Sequence, residues 1–158
     1  MSAVGKYPEL IRMSTIQPEA VYRRVAGKVA LESRSGDSEK DARFADSGRS
    51  FAIRARQPGL VTEGEFPVYA LGPEGPLAVP SGTVLVRFAE GIKATTREDE
   101  LARAGYAVAR EMPYAPHAVV VHAKSGRTAD ALANLERLEN VQGVVNVEPQ
   151  MISERVKR

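Results

Sequence analysis

No cysteine occurs in the 158 residues of this chain. Disulfides, thiol nucleophiles and Cys-based zinc sites are therefore excluded, and no covalent staple can support a small fold. Tryptophan is also missing and aromatic residues make up only 6%, so any core must be built from Val, Leu, Ile and Ala. Charge of one sign is scarce. The 22 basic and 20 acidic residues leave a net charge of +2, and the two signs alternate along most of the chain. Binding to nucleic acid by neutralising phosphates has little support in such a pattern, so no nucleic-acid partner is expected. Long apolar runs are absent too. Pro8, Glu9, Arg12 and Pro18 interrupt the N-terminal region, and nothing approaches the ~18 apolar residues that span a bilayer. The expectation is a soluble chain made in the cytoplasm with no membrane partner, export alongside a larger protein staying open.

What is present is ordinary globular material, 43% hydrophobic and 27% charged. The stretch Gly72 to Gly82 holds three Gly and three Pro in eleven positions, which favours turns and extended chain over helix. It is read as a linker between residues 1–71 and residues 83–150, with 151–158 as a C-terminal tail. Upstream, Val21 to Arg24, Lys28 to Ser33, Ser50 to Arg56 and Phe66 to Leu71 look like short strands. Phe51, Ile53 and Ala55 alternate with Ala52, Arg54 and Arg56 in the manner of a half-buried strand. Arg34 to Arg49 is polar and reads as a long loop. A small, irregular β-rich region or arm is expected there.

Downstream the periodicities are clearer. Val84, Val86 and Phe88 share one face of a strand that ends at Glu90-Gly91. A helix is predicted from about Thr96 to Ala104, started by capping boxes pairing Thr95 with Glu98 and Thr96 with Asp99, and stopped by Gly105. Strands over Tyr106 to Glu111 and His117 to Ala123 follow. A second helix runs from Thr128 to about Glu139, with Ala131, Leu132, Leu135 and Leu138 on one stripe. Gly143 then admits a last strand, Val144 to Val147, closed by Pro149. The predicted fold class is α+β: a ferredoxin-like βαββαβ antiparallel sheet with two helices on one face. The opposite face carries Leu85, Arg87, Val120 and His122 by parity and is a candidate docking surface.

Two segments of this half resemble a known family. Val84-Leu85-Val86-Arg87-Phe88-Ala89-Glu90-Gly91 is similar to the opening strand of the propeptide, or inhibitor, module of subtilisin-like serine proteases. Leu135 to Gln150, with its Gly-Val step and Val-Glu-Pro ending, is similar to the closing element. The resemblance covers about residues 83–150. It implies a protease-binding module acting as inhibitor and folding chaperone, in cis or in trans, its sheet face on the protease and its tail in the substrate cleft. Carried onto this chain, Glu148, Pro149, Gln150, Met151, Ile152 and Ser153 would form the inhibitory tail. Glu111 would cap an exposed helix N-terminus of the protease.

Catalysis has no support in the sequence, and no cofactor is implied. His117 and His122 lie five residues apart, on opposite faces of a strand, and do not make a metal pair. Ser81-Gly82 and Ser125-Gly126 read as turns rather than nucleophile elbows. There is no Gly-rich phosphate loop. The terminal Arg155-Val156-Lys157-Arg158 looks like a dibasic processing site, or else a solvated tail. A non-inhibitory scaffold module that recruits another protein is the alternative, followed by a small-molecule regulatory domain. RNA binding would need exposed aromatics on the central strands, and Phe88 faces inward.

Overall fold

The computed structural model describes residues 3–5, 7–33, 44–46, 49–55, 61–62, 65–72 and 75–153. Of the loop predicted over Arg34 to Arg49, Phe44–Asp46 and Arg49 are strand instead, while residues 34–43 and 47–48, like the tail residues 154–158, lie outside the described residues. In chain order the strands are β1 (Ala3–Gly5), β2 (Leu10–Ser14), β3 (Gln17–Ser33), β4 (Phe44–Asp46), β5 (Arg49–Ala55), β6 (Val61–Thr62) and β7 (Glu65–Ala70). They continue with β8 (Leu77–Phe88), β9 (Tyr106–Glu111), β10 (Ala118–Ala123) and β11 (Val144–Ser153). Helices are α1 (Glu98–Arg103), α2 (Thr128–Ala133) and α3 (Leu135–Glu139), with a 3-10 turn over Ala94–Arg97.

The chain divides into two compact units. One comprises Met1–Ile11, Val21–Pro80 and Met151–Arg158; the other comprises Arg12–Ala20 and Ser81–Gln150. In the first unit β3 is flanked by β5 and β7, both antiparallel to it, and β4 pairs with β5. The two short strands expected over Val21–Arg24 and Lys28–Ser33 are one strand. Its pairing with β7 shifts register between Arg24 and Val29, and Gly27 sits there at φ +79°. A bulge of this kind needs a residue that tolerates positive φ. Ala30, Phe51, Val68, Val79 and Ile152 form the buried core of this unit, with Phe66 edge-on to Phe51 at 5.5 Å.

In the second unit β8 lies between β10 and β11, and β9 lies on the far side of β10. Val84, Val86, Phe88, Val119, Val121 and Val147 line one face and meet Leu101, Ala131 and Leu138 from the helical segments. Burying Leu138, which is fully inside, contributes about 2 kcal/mol.

The α+β, ferredoxin-like expectation is corrected. Among the described residues strand far outweighs helix. The helical pieces are too short to form a layer of two full helices. The first begins as a 3-10 turn and adds only six α-helical residues. The second breaks at Asn134, whose φ/ψ of −112°/21° ends α2 and starts α3. Asn134 Nδ2 donates to the Asp130 carbonyl at 3.2 Å, a side-chain bond that competes with the helical ladder. Strands took up the difference. Residues 77–82 of the expected linker belong to β8, and Gln150–Ser153 of the expected tail belong to β11.

The predicted capping boxes do not form. The N-cap of α1 is Arg97 and makes no side-chain capping bond. Thr96 Oγ1 instead donates backward to the Lys93 carbonyl at 2.6 Å.

Candidate partner-binding surface

Strand pairing fixes which predicted docking residues share a face. Leu85 stands opposite Val120, Arg87 opposite Ala118 and His122 opposite Thr83. Directly opposed residues point to the same side of an antiparallel pair, so Leu85, Arg87, Val120 and His122 do lie together, away from the helices. The exposure of this face is uneven. Arg87 is exposed, Leu85 and His122 are half-buried, and Val120 retains only 3% of its surface. His122 Nδ1 lies 2.8 Å from the Ala123 carbonyl oxygen, which orients the ring as a donor there.

Glu111 falls on the other side. The pairing of β9 with β10 matches Val121 with Val108 but Val120 with Arg110 and Val119 with Glu111, so Ala109 is an extra residue. A bulge reverses the parity of everything beyond it. Glu111 is exposed but stands with Val119 on the helix-bearing side, whereas Arg110 stands with Val120 and Leu85. Sequence alternation alone could not find Arg110, because no Gly or Pro marks the bulge.

The C-terminal residues are held in β11 rather than free. Gln150 accepts a 2.6 Å hydrogen bond from Thr83 Oγ1, which places its side chain on the Leu85 side of the sheet. Glu148 is half-buried, Pro149 is buried, and Met151 is half-buried. Ile152 is 5% exposed within the core of the first unit, and Ser153 is exposed. Ile152 cannot fill a partner's pocket without leaving that core.

Another cluster was not foreseen. The turn between β2 and β3 belongs to the second unit. Thr15 N–H donates to the Val147 carbonyl at 3.2 Å, and Val147 N–H donates to Thr15 Oγ1 at 3.0 Å. Thr15 Oγ1 itself donates to Glu139 at 2.8 Å, and Arg12 Nη2 reaches both Glu139 oxygens at 2.6 Å. Asn146 Oδ1, on a residue 6% exposed, accepts from the N–H groups of Thr15 and Ile16. These partners are more than a hundred residues apart in sequence, and no local signal announces them.

Burial holds the phenols of Tyr69 and Tyr106 protonated well above the ordinary tyrosine range, with Arg24 and Arg137 respectively opposing the shift. Tyr69 donates to the Pro8 carbonyl and Tyr106 to the Ala131 carbonyl. Burial and one hydrogen bond hold each phenol in place. Among the described residues no cluster of His, Asp or Glu could hold a metal, and no helix is long and apolar enough to cross a membrane. No family model, curated protein or solved structure matches the chain.

Proposed function

We propose that residues 81–150 form a protein-binding module directed at a subtilisin-like serine protease, acting as its inhibitor or folding chaperone. The observation that carries this reading is that the two segments resembling that family meet each other. β11, from the closing segment, pairs with β8, from the opening one, and Ala89 N–H donates to the Gly143 carbonyl at 2.8 Å. Segments about fifty residues apart thus form one continuous surface, with Arg87, Leu85 and Glu148 available to a partner.

The inhibitory step is narrower than the resemblance implies. Gln150–Ser153 occupy strand positions, so a cleft-filling segment begins beyond Ser153 or requires the end of β11 to peel away. That fixed strand favours a second reading, a module that binds its partner without blocking activity.

One titration separates the two. The full chain is added to a purified subtilisin-like protease while peptide hydrolysis and heat of binding are followed together. Saturable 1:1 inhibition with a Kd of about 1 μM or tighter is the expected result. Binding without inhibition supports the scaffold reading, and absence of both at about 10 μM overturns the assignment.

A further inference from the structure

We propose that the tip of the β2–β3 hairpin is a removable cover on the outer edge of β11, and that a basic, extended strand from a partner chain can take its place. Val147 gives both its N–H and its carbonyl to Thr15, so these groups point away from β8. The period of two along a strand aims the main-chain groups of Val145, Pro149 and Met151 the same way. Pro149 has no N–H to offer at that edge, which explains how a proline sits inside β11 without breaking its ladder with β8. The edge available for pairing is therefore short: Val145 and Val147, closed off by Pro149. Edges of this kind are pairing templates unless something covers them.

Polar contacts tie the cover to β11 and α3. Thr15 satisfies Val147, Asn146 accepts two amide N–H groups of the turn, and the Arg12 guanidinium grips Glu139. Arg12 is 46% exposed in its side chain, so salt screens this ion pair. The Ser14 hydroxyl is buried without a hydrogen-bond partner, which subtracts from the stability of the docked state. Glu139 is 19% exposed and loses both Arg12 and Thr15 when the tip lifts. A replacement strand must restore a cation there, which is why the occupant is basic as well as extended.

The test uses the full chain and amide hydrogen exchange. In R12A/T15V, exchange at the Val147 amide should rise about tenfold or more, while amides of Val119 and Val121 in the sheet interior keep their wild-type rates. Adding a synthetic peptide of the sequence from Leu10 to Ala20 should restore protection at Val147. The same peptide with Ala in place of its Arg should bind about tenfold more weakly. Unchanged exchange at Val147 overturns the idea of a cover. Equal acceleration at all three valines shows the tip to be an integral part of the sheet and also overturns it. A peptide that binds the variant without protecting Val147, or does not bind, refutes the edge as a strand-addition site.

Discussion

Gly143 shows how much one residue can carry. Its φ is +91°, and an added Cβ would fall 2.7 Å from Ile92 Cδ1 and 3.6 Å from Phe88 Cδ1. Gly143→Ala should lower stability by about 1–3 kcal/mol, read as a shift in the denaturant midpoint. The sequence flags this glycine as the entry to a strand, but the closeness of Ile92 is known only from packing. Tyr69 and Tyr106 make a pH prediction. Their folded pKa values lie above the unfolded value of about 10, so folding favours the neutral phenol. That stability is fully present below about pH 10 and is lost as pH rises beyond it. Unfolding midpoints should fall between about pH 9 and about pH 11, and Tyr106→Phe should lessen the fall. A variant whose midpoint drops as steeply as the wild type would place the cause elsewhere.

Elements expose where local rules lose to their surroundings. Thr95 and Thr96 have the spacing of capping boxes, yet the 3-10 turn over Ala94–Arg97 moves the helix start past them. Thr95, exposed and uninvolved in capping, should tolerate Thr95→Ala within about 0.5 kcal/mol. A working N-cap would lose ~1 kcal/mol, so thermal unfolding distinguishes the two. In β9 the extra residue Ala109 exchanges the sides of Arg110 and Glu111. If the Leu85 face meets the partner, Arg110→Ala should weaken binding more than Glu111→Ala does, as calorimetry would measure. The reverse order would move the contact to the helix-bearing side.

For the molecule as a whole, the consequence concerns the C-terminus. A free tail could be removed from Gln150 onward without harm, whereas here that deletion takes the Thr83 partner and a core residue with it. Ile152→Ala should cost about 2–4 kcal/mol in a denaturant titration. Deleting residues 154–158 alone is the cleaner probe of the cleft-entry step. If those residues block the protease, the deletion should abolish inhibition.

The sequence by itself determined the chemistry that is excluded, because a chain without cysteine has no thiol to offer. It also placed Val84, Val86, Phe88, Val119 and Val121 on inward positions, since alternation is a local property of extended backbone. Tertiary structure alone decided how far each strand runs, which side Arg110 takes, and that Thr15 closes the edge at Val147, 132 residues away. Those outcomes depend on which distant groups supply hydrogen bonds and cover, and a segment too short or too proline-rich to be a strand alone becomes one when a neighbour satisfies it. The helices lost residues for the same reason: their stability comes from packing rather than from caps and propensity.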